Sequence, residues 1–159
     1  MRSEAEVTRA MEAHADTVKR LCVLYLKNHA DTEDIFQTVF LKYTLSSTAF
    51  ESAEHERAWF IRVTINACKD LLRSFFRRRT VPLEQAAVQA VREEDGAVLE
   101  AVLALPEAYR TAIYLHYYEQ YIAPEIARLL GKNTNTVYTL LTRGRERLRR
   151  ALEGDGDGA

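Results

Sequence analysis

An all-α chain of two small helical modules joined by a flexible linker is what this sequence predicts, and three observations predict it. Apolar residues recur at helical spacing almost from end to end, with no convincing two-residue alternation. Residues 79–96 interrupt that pattern, opening on Arg79-Thr-Val-Pro82 and closing on Glu93-Glu94-Asp95-Gly96 around an alanine-rich middle. Beyond the interruption, Ala123 to Thr142 reads as a helix-turn-helix that runs into the arginine-dense Arg143-Gly-Arg-Glu-Arg-Leu-Arg-Arg150. The expected modules are 1–78 and 97–152, the linker is 79–96, and 153–159 is expected to be a disordered tail.

In the first module, an amphipathic helix is expected over about 4–28, broken by Asn28-His29-Ala30. Asp31 is the expected cap of a second helix, with Asp34 three residues later and Ile35, Phe36, Val39, Phe40 and Leu41 following. That helix ends near Leu45, residues 46–54 form a polar loop, and a third helix runs over about 55–78. On the third helix Ile61, Ile65, Cys68, Leu72 and Phe75 define a buried face, and Arg62, Asn66, Lys69, Arg73 and Arg77 follow one residue behind as a polar, basic one. Such a helix suits a DNA reader, although a plain surface helix has the same outline. Trp59 and Phe60 suit core packing better than stacking on unpaired bases.

In the second module, four shorter helices are expected over about 97–104, 107–120, 123–130 and 134–152, with Pro106 and Pro124 in first turns. Ile126, Leu130, Val137 and Leu140 face the interior of the helix-turn-helix, and Ala127 is small where helices approach. Gly131 supplies the left-handed turn, and Asn133 caps the second helix of the motif. A stripe of Val137, Leu141, Gly144 and Leu148 turns Asn135, Tyr138, Thr139, Thr142 and Arg143 outward, where amide, hydroxyl and guanidinium groups reach base edges. Arg145, Arg147, Arg149 and Arg150 suit phosphates or protein contacts. An ordinary helical hairpin with a solvated C-terminus shares part of this pattern; the arginine run favours DNA.

Composition agrees with a binding protein. With 47% hydrophobic and 28% charged residues the chain is globular, and its net charge of −1 does not by itself mark a nucleic-acid binder. The distribution does: residues 80–132 carry four basic and eight acidic side chains, whereas 133–152 carry five arginines against Glu146. Cys22 and Cys68, at apolar helical positions and without a C-x-x-C or a nearby histidine pair, read as buried thiols of a reducing cytoplasm. No segment approaches the roughly 18 apolar residues of a membrane helix. No metal constellation, nucleophile with its base, or phosphate loop is found in the sequence. Membrane insertion, a cofactor and catalysis are therefore not expected.

These elements together resemble the extracytoplasmic-function (ECF) subfamily of the bacterial sigma-70 RNA polymerase sigma factors, which keep only regions 2 and 4. Residues 31–43, D-T-E-D-I-F-Q-T-V-F-L-K-Y, are similar to the D-A-E-D-x-x-Q-E-x-F of region 2, and residues 58–73, A-W-F-I-R-V-T-I-N-A-C-K-D-L-L-R, to its A-W-L-x-x-I-A-x-N-x-x-x-D-x-x-R. Region 4 is echoed by Leu105-Pro-Glu-x-x-Arg110, Glu125-Ile-Ala127, Leu130-Gly131 and Thr136-Val-x-Thr139. The resemblance implies that Asp34, Gln37, Thr38 and Leu41 dock on the β′ clamp helices of core RNA polymerase, with the β flap a further contact. It implies that the loop 46–57 and Arg62, Asn66, Lys69, Arg73 and Arg77 engage the −10 element. It implies that Asn135, Tyr138, Thr139, Thr142, Arg143 and Arg147 read the −35 element, and that promoter DNA and an anti-sigma factor are partners. Four positions depart from the family: Thr38 replaces a usual Glu, Ile122 a usual Ser or Thr cap, and Tyr138 and Leu140 stand where Lys or Arg is common. A free-standing helix-turn-helix regulator and a polymerase-binding decoy are the competing readings; the acidic second helix and the basic faces weigh against them.

Overall fold

The structure is a computed structural model that describes residues 1–26, 28–78 and 96–157. Helices α1 (Glu4–Leu26), α2 (His29–Leu45) and α3 (Ala53–Arg78) form one compact unit, and α4 (Gly96–Leu103), α5 (Glu107–Tyr117), α6 (Ala123–Leu130) and α7 (Thr134–Asp157) form a second. No strand occurs among the described residues. The linker expected over 79–96 lies outside the described residues except for Gly96, which opens α4.

Local hydrogen bonds set the helix starts, and they move several expected boundaries. At α1, Ser3 Oγ accepts the Glu6 N–H and the Glu6 carboxylate accepts the Ser3 N–H, both at 3.1 Å, a reciprocal cap legible as S-x-x-E but not anticipated above. At α2 the cap is Asn28 rather than Asp31: the Asn28 amide oxygen accepts the Asp31 N–H at 2.8 Å, and its nitrogen donates to the Asp31 carboxylate at 2.6 Å. An amide can serve both groups at once, so the helix starts before Asp31 and Asp34 falls in its second turn. Ser52 Oγ accepts the His55 N–H at 3.1 Å, which starts α3 at Ala53 and shortens the loop to 46–52.

The core of the first unit joins Val18, Leu21 and Cys22 of α1 to Ile35, Val39 and Tyr43 of α2 and Phe60, Ile61, Ile65 and Cys68 of α3. Each large side chain removed from water contributes about 1.5–3 kcal/mol. Phe60 is fully buried, with its ring 4.5 Å from His14 and 5.1 Å from Phe40, and half-buried Trp59 packs edge-on against it at 5.1 Å. Both aromatics are therefore core residues. Cys22 and Cys68 are free, buried thiols on facing helices, and the hydrogen bond with Cys22 and burial together push the Cys68 thiol far up.

Among the described residues of this unit, one carboxylate is buried. Glu56 accepts from Arg9 at 3.1 Å and from Tyr43 Oη at 3.2 Å, and its Oε1 lies 2.9 Å from His14 Nε2. Burial alone would raise its pKa, but the hydrogen bonds from Arg9 and His14 outweigh it and hold the carboxyl below its usual range.

In the second unit, Gly131 ends α6 in the left-handed conformation at φ 67°, and Asn133 Oδ1 caps α7 by accepting the Thr136 N–H at 2.8 Å. Ile122 has no acceptor with which to cap α6, yet its own N–H is taken by Glu125 at 2.9 Å. Ile126, Leu129, Val137 and Leu141 are buried, whereas the expected Leu130 and Leu140 are only half-buried. For Leu140 the cause is α7's rotation. Gly144 must face α5, where a Cβ would lie 2.9 Å from Ile113 Cγ1, and this selects the stripe containing Leu141 over the one containing Leu140. The tail expected to be disordered from 153 continues α7 through Asp157, and Glu153 supports the added turn by pairing with Arg149 at 2.7 Å.

Two stability predictions result. A carboxyl depressed in the folded state adds stability above its unfolded pKa and loses it as pH falls through the folded one. Glu56→Ala should therefore cost about 3 kcal/mol near neutral pH by orphaning His14, and it should flatten the loss of stability expected of the unmodified chain below about pH 4. Thermal melts across that pH range check both. Gly144→Val should lower stability by about 2 kcal/mol through overpacking against Ile113, measurable by urea titration.

Candidate nucleic-acid and polymerase interfaces

Along α7 the core stripe leaves one long face uncovered. Asn135, Tyr138, Thr139 and Thr142 share it at helical spacing and are all exposed, Tyr138 by 55%. Arg143 and Arg147 are exposed on its flank. Thr139 Oγ1 donates to the Asn135 carbonyl at 3.2 Å. The arginines differ sharply in their surroundings. Arg145 donates to Tyr117 Oη at 3.1 Å, and the Arg147 guanidinium lies 5.0 Å from the Tyr109 ring centroid. Arg149 and Arg150 both bond Glu146, at 2.6 Å and 3.2 Å. Arg149's hydrogen bond, with added charge from Arg150, holds the Glu146 carboxyl below its usual value. Among the described residues, Arg143 is the one α7 arginine with no intramolecular partner.

On α3, Arg62, Asn66 and Arg73 are exposed and Lys69 is half-buried, so the four residues form the row that their spacing implies. Arg73 pairs with Asp70 one turn away, which reduces the net charge at that end. The Arg77 side chain lies outside the described residues. The adjoining loop 46–52 is held by a residue the sequence reading did not single out. Arg2 donates from Nε to the Tyr43 carbonyl at 3.0 Å and from Nη2 to the Thr48 carbonyl at 2.5 Å, and its guanidinium sits 4.3 Å from the Tyr43 ring centroid. Nothing in local spacing links residue 2 to this loop.

On α2, Asp34, Gln37, Thr38 and Leu41 are all exposed on one face, and Leu45 one turn on extends it; Leu41 and Leu45 are 58% and 62% exposed. Spacing of four from Leu41 was the signal for Leu45. Within the second unit, Val98, Val102, Ile113, Tyr117, Leu148 and Leu152 line a largely apolar groove of about 890 Å³ between α4, α5 and α7. Among the described residues no His, Cys, Asp and Glu cluster is arranged to hold a metal ion, and no helix is long and apolar enough to cross a membrane.

Comparison with known proteins agrees with this layout. Residues 10–80 match the family model for Sigma-70 region 2, and residues 95–148 that for Sigma-70, region 4. The RNA polymerase sigma factor SigV of Bacillus subtilis (strain 168) is 30% identical over 151 residues, spanning 92% of this chain and 91% of that protein. The ECF RNA polymerase sigma factor SigM of Mycobacterium tuberculosis (strain ATCC 25618 / H37Rv) is 31% identical over 143 residues, spanning 87% and 73%. Among solved structures, the sigma factor RpoE of Bartonella quintana, crystallised with the anti-sigma factor NepR, has the same fold with a TM-score of 0.74 at 18% identity, covering 93% of this chain and 97% of that one. With two sigma regions in order along one chain and relatives matched across nearly all of it, the protein belongs to the sigma-70 family of RNA polymerase sigma factors, in the ECF subfamily.

Proposed function

We propose that this sigma factor works through separate helix faces, each left uncovered by the core of its own unit. As a sigma factor it directs core RNA polymerase to specific promoters and so starts transcription. Residues 1–78 act as region 2, with Asp34, Gln37, Thr38, Leu41 and Leu45 of α2 against the polymerase clamp, and the loop 46–52 with Arg62, Asn66 and Lys69 of α3 against the −10 element. Residues 97–152 act as region 4, with the outer face of α7 in the major groove of the −35 element and the apolar groove between α4, α5 and α7 against the β flap. Residues 79–96 connect them. An anti-sigma factor is the regulatory partner, the site of action is the cytoplasm, and the protein acts by binding alone, without catalysis or a cofactor.

The observation that carries this reading is the pairing, in each unit, of a buried stripe with an exposed polar stripe on one long helix: Ile61, Ile65 and Cys68 against Arg62 and Asn66, with half-buried Lys69 in line, and Val137 and Leu141 against Tyr138, Thr139 and Thr142. A helix held that way is rigid enough to present side chains to a groove. Run-off transcription with purified core polymerase on a promoter library tests it. Promoter-specific transcripts that need this chain are expected, and a chain that binds duplex promoters tightly without polymerase would point instead to a free-standing regulator.

Three variants separate the surfaces. Asp34→Arg, with Leu41→Ala as its apolar counterpart, should weaken core polymerase binding about tenfold or more while leaving the melting curve unchanged, because both side chains project from α2 into solvent; titration of labelled core checks this. Asn66→Ala should slow open-complex formation, read by permanganate footprinting of the −10 strand, without changing which −35 bases are chosen.

A further inference from the structure

Resting on the reading of α7 as the −35 helix, we propose that its leading turns select A·T base pairs and that guanine is selected by Arg143 alone, about three to four base pairs away. Residues 134–142 contain no cation. The face they expose offers the amide of Asn135, the ring and hydroxyl of Tyr138, and the methyl and hydroxyl groups of Thr139 and Thr142. Guanine shows two acceptors, O6 and N7, in the major groove and is read best by a forked cation, whereas adenine's N6 donor and N7 acceptor match an amide and thymine's C5 methyl matches apolar contact. Thr139 strengthens the bias. Its only O–H hydrogen is committed to the Asn135 carbonyl at 3.2 Å, which leaves an acceptor oxygen and a methyl group for a base.

Arg145 is held by Tyr117, Arg147 lies over Tyr109, and Arg149 and Arg150 bond Glu146, so each guanidinium is engaged within the protein. Arg143 keeps its fork open, next to Thr142 on the edge of the reading face. Glu146 lies one turn beyond Thr142 and ends that face with a carboxylate that Arg149 and Arg150 already pair. Arg128 and Lys132, the nearest cations before the tip, lie on α6 and on the turn, where this motif crosses the phosphate backbone rather than the base edges. Asn135 and Arg143 are separated by about 12 Å along the helix axis, which corresponds to the base-pair separation stated above.

The test uses holoenzyme assembled from the full chain and core polymerase on promoters in which every −35 position is varied, with binding to core and −10-dependent run-off scored in the same reactions. The expected profile has one guanine position flanked by A·T preferences. Arg143→Ala should abolish that guanine preference with about a tenfold loss on the best site, and Arg143→Lys should retain part of it. Replacing thymine by uracil in the flanking positions should weaken binding by the unmodified chain and have a smaller effect with Tyr138→Ala, which leaves only the Thr139 and Thr142 methyl groups for thymine. Guanine preferences at several positions that survive Arg143→Ala, with core binding and run-off intact, would overturn this inference and leave the sigma reading standing. Loss of promoter-dependent run-off by the unmodified chain would overturn both.

Discussion

Glu56 is where the three helices of the N-terminal unit meet. Its carboxylate, in the first turns of α3, is gripped by Arg9 and His14 of α1 and Tyr43 of α2, so one buried charge fixes the rotation and depth of all three elements. A buried carboxylate is tolerated only when its acceptor sites are filled, and here they are. The arrangement has a directional consequence. With the start of α3 pinned, the exposed row of Arg62, Asn66 and Lys69 has a defined bearing, and the loop before it is closed on the other side by Arg2 and the stacked Phe50, whose ring lies 6.3 Å from Tyr43.

The second unit solves the same problem with shape in place of charge. Gly144 lets α7 approach α5 so closely that a methyl group would collide with Ile113, and that contact sets the helix's rotation. Tyr114, which donates to buried Glu119 at 2.5 Å, steadies the turn leading into α6, where Gln120 takes a left-handed φ of 65°. A helix positioned by a glycine contact and capped by Asn133 presents its leading turns at a fixed angle, which is what reading base edges requires.

The charge pattern of α7 is less simple than its arginine count. Most of its guanidinium groups satisfy aromatic or carboxylate neighbours, so the positive end of the molecule is partly an internal scaffold. Surface ion pairs of this kind contribute little stability one by one. Their effect lies in direction: they hold long side chains against the helix and leave Arg143 as the reaching one.

Periodicity, caps and turns were legible in the sequence because they depend on neighbours three or four residues apart. The helices, the left-handed Gly131, the Asn133 cap and the polar rows on α3 and α7 all follow from such local rules, as does the family resemblance carried by the same residues. What tertiary structure decided lies beyond that reach. Glu56 meets Arg9 across 47 positions, Arg2 meets Thr48 across 46, and Arg145 meets Tyr117 across 28, and no spacing rule announces such pairs. The stripe of Val137, Leu141, Gly144 and Leu148 was legible, but the half-burial of Leu140, which fits a helical stripe as well, is of the same kind, since contact with Ile113 at Gly144 sets the helix's rotation. A sequence states which charges a helix carries; which of them remain open to a ligand depends on the neighbours that folding brings to each one.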